Sequence, residues 1–214
     1  IGDNGKGSDL GACAGGRGNG DEISLLAHFG EGVYALADIL KTDRRIVLMT
    51  AHRRENLGEP LKNICRAVRR LVETFDDIEV VYPVHLNPAV REVAFDILGG
   101  MDRVKLIDPV NADELHNAIS RGYMVMTDSG GLQEEAPSLG KPVLVLRNET
   151  ERPEAVDAGT VKIAGVDENV IFDMAKELIC DSDSYAKMAK AVNPYGDGKA
   201  SVRIANAIVE KFRK

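Results

Sequence analysis

From residue 45 onward, short apolar runs alternate with longer segments in which apolar residues recur at helical spacing. The short runs predict strands at 45–50, 79–84, 104–107, 123–127, 142–146 and 160–164. The longer segments predict helices at 60–75, 88–98, 112–121, 132–139, 167–179, 183–191 and 200–212. Strands that are apolar throughout, such as 46–49 and 143–146, are typical of parallel sheets covered by helices on both faces. The pattern therefore predicts an α/β fold with a doubly wound, mostly parallel sheet.

The first 43 residues have a different texture. Residues 1–20 are rich in Gly, Asn and Asp and have almost no large apolar side chain, so they predict a flexible segment. Apolar residues in the stretch 21–43 recur at roughly helical spacing, which predicts one or two lead-in helices. The main domain is then expected to cover residues 44–214.

Composition narrows the class of protein. A chain of 214 residues with 44% hydrophobic and 29% charged side chains can bury a proper core. The net charge of −7 and the pI near 5.2 give no general attraction to nucleic acid or anionic lipid, although a local cationic cleft is compatible with them. No run approaches the roughly 20 apolar residues of a membrane span, and no signal-peptide core is seen. We therefore expect a soluble, cytoplasmic protein without nucleic-acid or membrane partners.

The cysteines indicate neither a disulfide framework nor a metal centre. Cys13, Cys65 and Cys180 are far apart, odd in number and in no CxxC arrangement. Cys65 falls within a helical pattern, where it is expected to act as a small hydrophobic residue.

One strand runs directly into a glycine turn, Asp128-Ser129-Gly130-Gly131, that opens the next helix. Two glycines let the backbone approach a ligand closely, and amides at the start of a helix favour an anion. Ser129 can cap the helix or donate to a phosphate oxygen, and Glu135, one turn inside, can accept from ribose hydroxyls. A capped helix start, with glycine present for turn geometry alone, explains the same residues equally well.

Two other loops are expected at the same edge of the sheet, beyond the carboxyl ends of the strands. In the loop after the first strand, His52 and Arg53 could protonate and bind a phosphate leaving group, or lie on a solvated surface. In the charged loop 147–155, Arg152 is a candidate clamp for a phosphate or carboxylate, and a solvated face is the alternative. After the second strand, Asn87 is expected to cap a helix and His85 to support the cleft from behind.

Together, these segments resemble a known family. Residues 51–56 (AHRREN), 82–88 (YPVHLNP), 127–131 (TDSGG) through Pro142, 150–155 (TERPEA) and 193–198 (NPYGDG) look like signature segments of the non-hydrolysing UDP-N-acetylglucosamine 2-epimerases. The resemblance covers roughly residues 44–214. It implies the second of two Rossmann-like domains in a GT-B arrangement.

The resemblance also implies a reaction and a site. UDP-GlcNAc and UDP-ManNAc would be interconverted by elimination of UDP to a 2-acetamidoglucal and its re-addition with inversion at C2, without a metal or redox cofactor. His52 would assist the leaving group, and Arg152 would add a contact near the phosphates or the sugar. The residues that would bind UDP are Arg53, Ser129, Gly130, Gly131, Glu135 and Arg152. The uracil site departs from the family pattern, because Val110 and Leu115 stand where relatives present a glutamine and an aromatic ring.

In the family, the acidic groups that move the C2 proton belong to an amino-terminal domain that these 214 residues do not match. Residues 1–43 are too short to replace it. A remnant of the interdomain linker and its helix, an artificial segment and a divergent start are equally compatible with their sequence. We therefore expect UDP binding without turnover, with a homodimer or a partner chain supplying the other half. The alternatives are a stand-alone UDP-sugar-binding module, a hydrolysing epimerase and a GT-B glycosyltransferase.

Overall fold

A single six-stranded sheet organises residues 36–213, the part of the chain that the computed structural model describes. The strands are β1 (Arg45–Thr50), β2 (Ile78–Pro83), β3 (Val104–Ile107), β4 (Met124–Thr127), β5 (Val143–Val145) and β6 (Val161–Ile163). Each hydrogen-bonded pair is parallel. The predicted α/β fold is confirmed, and this sheet is wholly rather than mostly parallel. The flexible segment expected at 1–20 and most of the lead-in expected at 21–43 lie outside the described residues.

Helices connect the strands and cover both faces of the sheet. They are α1 (Glu59–Thr74), α2 (Pro88–Leu98), α3 (Ala112–Arg121), α4 (Leu132–Ser138), α5 (Pro153–Asp157), α6 (Glu168–Cys180), α7 (Ser182–Ala189) and α8 (Ala200–Phe212). A short 3-10 turn, Arg54–Asn56, precedes α1. No helix in residues 36–213 is long and apolar enough to cross a membrane.

The strand order is β3-β2-β1-β4-β5-β6, so the chain first builds outward from β1 and then returns to its other side. β1 and β4 are therefore neighbours, and their last residues, Thr50 and Thr127, are register partners. In open sheets of this kind, the loops on the two sides of such a reversal diverge and leave a crevice at the carboxyl ends of the strands. The order of the strands thus selects the β1–β4 edge as the place for a ligand.

Both faces of the sheet are buried, which explains the continuous apolar runs. In β1, Val47 and Met49 belong to the core under α1, α2 and α6, whereas Ile46 and Leu48 belong to the core under α3, α4 and α5. Alternate side chains of a strand point to opposite faces, so strands covered on both sides, such as β1 and β5, are apolar at most positions. Cys65 is fully buried in the first core, where desolvation raises the pKa of its thiol to about 12, consistent with the predicted hydrophobic role.

The structure corrects the prediction for the loop 147–155. A short helix, α5, begins at Pro153 and breaks the predicted charged loop. Proline at a first helical position was a usable signal, but the surrounding charges favoured a loop. The predicted cap at Asn87 is confirmed, since its side chain accepts a hydrogen bond from the Ala89 amide at 3.1 Å.

The last helix has the predicted bounds but an unexpected environment. None of the residues of α8 is buried, and its large apolar side chains are mostly exposed. They are Val202, Ile204, Ile208, Val209 and Phe212.

Candidate functional site

The loop after β1 and the turn after β4 meet at the reversal of the sheet. The hydroxyl groups of Thr50 and Thr127 lie 2.6 Å apart, and the Asp128 amide donates to the Thr50 carbonyl at 3.1 Å. His52, Arg53 and the turn 128–131 therefore lie at one edge, as the sequence predicted from the parallel strands.

The carboxylate of Asp128 joins the two loops. It is fully buried, and its Oδ2 accepts from the amides of His52 and Arg53, both at 2.7 Å. Oδ2 also accepts from Asn56 Nδ2 at 3.0 Å, while the same Asn56 nitrogen donates to the Leu146 carbonyl after β5. Hydrogen bonds to a charged acceptor are about twice as strong as neutral ones, so this carboxylate fixes the ends of three strands to one another. Sequence reasoning quoted Asp128 as part of the turn but gave it no role.

The turn after Asp128 leaves backbone donors free. Ser129 is not a helix cap, because α4 has no side-chain cap and the Ser129 amide donates to Thr127 Oγ1 at 2.9 Å. Within the described residues, the amides of Gly130 and Gly131 have no hydrogen-bond acceptor. Since α4 has only seven residues, any anion affinity comes from these amides more than from a helix dipole.

The glycines of this turn are not required by an unusual backbone conformation. Neither has a positive φ, and Gly131 lies in the right-handed helical region at φ −62°. A Cβ at Gly130 would lie 3.7 Å from Arg53 Nη2, and one at Gly131 would lie 3.3 Å from Glu135 Oε1. The alternative explanation was a capped helix start with glycines required for turn geometry. The structure shows neither a side-chain cap on α4 nor a positive φ at Gly130 or Gly131.

Arginines line the rest of this edge and are paired with carboxylates. Arg147 is buried and holds Glu55 at 2.5 Å and Glu151 at 2.7 Å. Its hydrogen bond lowers the pKa of Glu151 to about 2, with help from a backbone hydrogen bond and from Arg53. Arg53 is the looser partner of Glu151, at 3.8 Å, and keeps 37% of its side chain exposed.

Arg152 lies beside the start of α4 and is not free in this structure. Its Nε donates to Glu134, and this pairing raises the pKa of the guanidinium. The hydroxyl of Thr150 accepts from the Arg152 amide at 3.0 Å and donates to Gln133 at 2.5 Å. Residues 150 and 152 of the charged loop are thus hydrogen-bonded to α4. This contact differs from the alternative prediction of a solvated face.

Two histidine rings stack on each other at this edge of the sheet. The rings of His52 and His85 stack with centroids 5.4 Å apart and an angle of 6° between their planes. Nδ1 of His85 accepts from the Asn87 amide at 3.0 Å, which orients that ring. His85 therefore packs against the ring of His52, a contact that the sequence did not indicate.

Glu135 has a partner that sequence reasoning missed. Its Oε2 lies 3.0 Å from Nε2 of His116, which comes from α3. Val110 and Leu115 are partly buried and pack against the second core. The sequence around His116 does not indicate this contact, because the contact joins two different helices, α3 and α4.

No group of three or more His, Cys, Asp or Glu side chains that could hold a metal ion is found in residues 36–213. The chemistry that this edge offers is anion binding by backbone amides and guanidinium groups, next to an imidazole.

A family model described as UDP-N-acetylglucosamine 2-epimerase matches residues 21–209. This chain belongs to the UDP-N-acetylglucosamine 2-epimerase family. The UDP-N-acetylglucosamine 2-epimerase of Bacillus subtilis is 58% identical over 165 residues, which are 77% of this chain and 43% of that protein. The resemblance inferred from the motifs is confirmed.

Solved structures of the family share the fold. The S. aureus MnaA-UDP co-structure is 49% identical with a TM-score of 0.77, and the match covers 87% of this chain and 50% of that one. The UDP-GlcNAc 2-epimerase of Neisseria meningitidis bound to UDP-GlcNAc is 40% identical with a TM-score of 0.76, covering 89% of this chain and 53% of that one. The chain thus spans about half the length of the family members that it matches.

Proposed function

We propose that this chain is the UDP-binding half of a UDP-N-acetylglucosamine 2-epimerase, which interconverts UDP-GlcNAc and UDP-ManNAc by eliminating UDP and adding it back. The observation that carries the proposal is the pair of free amides at Gly130 and Gly131, placed beside Arg53 at the β1–β4 crevice. Relatives solved with UDP and with UDP-GlcNAc share this fold. The fold and the relatives give no specific support to a binding module, a hydrolysing epimerase or a glycosyltransferase.

The diphosphate would lie against the turn 129–131. The Gly130 and Gly131 amides would donate to its oxygens, with the Ser129 hydroxyl as a further donor. Arg53 would exchange its long contact with Glu151, at 3.8 Å, for a phosphate. Since Glu151 keeps its bond to Arg147 at 2.7 Å, the exchange leaves no carboxylate unpaired. Arg152 would add a contact near the phosphates or the sugar.

Glu135 would hold the ribose. Its Oε1 lies near the Gly131 backbone, so a ribose attached to a phosphate at this turn falls within its reach. A carboxylate accepts from two vicinal hydroxyl groups, a geometry that an amide or a hydroxyl side chain reproduces only in part. The contact with His116 holds this carboxylate in place before a ligand arrives.

His52 would assist departure of UDP. It stands at the end of β1, next to Arg53 and across from the glycine turn, with 39% of its side chain exposed. An imidazolium can donate to the oxygen on which charge develops as the bond to the sugar breaks. Together with the amides and Arg53, it would stabilise the diphosphate more as its charge increases.

The base that removes the C2 proton would come from outside these 214 residues. The carboxylates around the crevice are engaged, Glu55 and Glu151 by Arg147 and Glu134 by Arg152. A carboxylate that is held in an ion pair is a poor base, because its charge is already stabilised by the cation. The domain boundary at residue 44, the homodimer or partner chain that would complete the site, and the cytoplasmic location stay predictions.

Calorimetric titration with UDP tests the site. We expect Ser129→Ala to weaken binding about tenfold, because one hydrogen bond to a charged group contributes about 1.5 kcal/mol. Glu135→Ala should weaken it by about 10- to 100-fold, since two ribose hydroxyl groups lose their acceptor. Ser201→Ala and Glu210→Ala on the exposed helix α8 are matched controls and should bind like the parent. Absence of UDP binding by the well-folded parent would contradict the proposal.

A second experiment follows the sugar C2 proton by NMR in deuterated water. Incubation of this chain alone with UDP-GlcNAc should give no deuterium at C2, because Glu55, Glu134 and Glu151 are bound to arginines, Glu135 to His116, and Asp128 to the amides of the His52 loop. The Bacillus subtilis relative, under the same conditions, is the positive control. Deuterium incorporation by this chain alone would show that it contains the base.

A further inference from the structure

Asp128 has one satisfied oxygen and one unsatisfied oxygen. Oδ2 accepts three hydrogen bonds, from the His52 and Arg53 amides and from Asn56. Oδ1 is buried without a hydrogen-bond partner in residues 36–213. The ring nitrogen Nδ1 of His52 lies 3.4 Å from it. A buried carboxylate oxygen without a hydrogen-bond donor costs free energy. A proton on His52 Nδ1 would supply the missing donor to Asp128 Oδ1.

We propose that Asp128 is the positioning residue of His52: Oδ1 accepts from Nδ1–H, and Nε2 is thereby left as the nitrogen that faces the departing diphosphate. The proposal rests on the proposed function for the identity of that ligand, but the Asp128–His52 contact is present without one. A neutral imidazole carries its proton on one nitrogen only, and the partner of that nitrogen selects which one.

The surroundings keep this carboxylate from turning away. Rotation of the Asp128 side chain would break its three bonds at Oδ2, two of which hold the backbone of the His52 loop itself. The stacked ring of His85 covers one face of His52 and limits its rotation. The carboxylate therefore fixes both the loop and the orientation of the ring that the loop carries.

The arrangement also couples the imidazole to the anion site. Asp128 immediately precedes Ser129, so the residue that orients His52 belongs to the same turn as the free glycine amides. When His52 is protonated, its Nδ1–H stays hydrogen-bonded to Asp128 Oδ1. The proton on Nε2 can then pass to the phosphate oxygen as the bond between that oxygen and the sugar breaks. The ring then returns to the neutral form with Nδ1–H, and no proton is transferred to Asp128.

The tautomer can be read directly by NMR on the chain without a ligand. The chain has four histidines, so long-range proton–nitrogen spectra are simple, and His52→Gln identifies the His52 signals. In the neutral ring, we expect the proton on Nδ1. Asp128→Asn keeps an oxygen for the two backbone amides but presents an NH2 group to His52, so the proton should move to Nε2. Asn56→Ala removes a donor from Oδ2 alone and should leave it on Nδ1.

Three results would overturn the proposal. They are an Nε2–H tautomer in the parent, an unchanged Nδ1–H tautomer in folded Asp128→Asn, and a reversal in Asn56→Ala as well, which would make loop integrity the cause. Titration of the same samples with UDP separates this proposal from the functional one. The expected tautomers without any UDP binding would support the positioning role of Asp128 and contradict the UDP site.

Discussion

Gly130→Asp is expected to lower the affinity for UDP about 1000-fold, a loss of about 4 kcal/mol. The new carboxylate would project from the turn that has to accept the diphosphate, where a Cβ comes within 3.7 Å of Arg53 Nη2 and 3.9 Å of Glu151 Oε2. It would occupy the space of a phosphate oxygen, repel the anion and take Arg53 as its own partner. Calorimetric titration with UDP measures the loss.

The matched control for this change is Gly130→Ala. Its methyl group makes ordinary contacts at 3.7 and 3.9 Å, and the backbone at this position has no positive φ, so the variant should fold like the parent. Loss of close approach alone should then cost far less affinity than the carboxylate does. Equal affinities of Gly130→Asp and the parent would show that no anion binds at this turn. Thermal unfolding of the three proteins, recorded in parallel, excludes a loss of fold as the cause.

The sequence predicts most of the scaffold because its strands and its helices each carry strong local patterns. The bounds of α2, α3 and α8, and of β1 and β3, agree with the prediction. The other predicted elements differ by one or two residues at their ends. The strands are apolar at consecutive positions because both faces are buried, and the helices have caps and prolines that mark their starts. Local signals of this kind are contained within each element.

The contacts that the sequence did not predict are those that join different helices and strands. The hydrogen bonds of Asp128 depend on the register of β1 against β4, and Asn56 reaches Leu146 across 90 positions of the chain. The contact of His116 with Glu135 depends on how α3 packs beside α4. The strand order, which places these residues together, comes from long-range packing and not from any local pattern. The motif residues could be listed from sequence, but the partners that orient them could not.

The ion pairs illustrate the same limit for charged residues. Arg152 was predicted as a candidate clamp for a phosphate or a carboxylate, and the structure pairs it with the carboxylate of Glu134. A phosphate would have to compete with that carboxylate, whereas Arg53 has only the longer contact with Glu151. Of the two arginines, Arg53 is therefore the one whose side chain is ready for an anion. The family resemblance alone assigned both to the UDP site and gave no means of ranking them.

The largest expected loss of stability comes from the core beneath this edge. Ile64→Ala should lower the free energy of unfolding by about 2–5 kcal/mol, the range for such truncations in a packed core. Ile64 lies in the middle of α1, is fully buried, and belongs to the core that α1 shares with α2 and α6. The truncation removes apolar contacts and leaves a cavity that these helices and the sheet can close only in part. Urea unfolding followed by circular dichroism measures the change.

Ile204→Ala is the matched control, because it makes the same substitution inside a helix at a side chain that is 60% exposed. Both variants gain the same small helix propensity from alanine, so the difference between them isolates burial. Ile204→Ala should change the free energy of unfolding by less than about 0.5 kcal/mol, as expected for an exposed site. If both variants lost several kcal/mol, α8 would have to be packed in solution, and its exposed apolar face would be covered by another part of the protein or by a second chain. A loss confined to Ile64→Ala would instead confirm that the core under α1 carries the stability and that α8 contributes little to it.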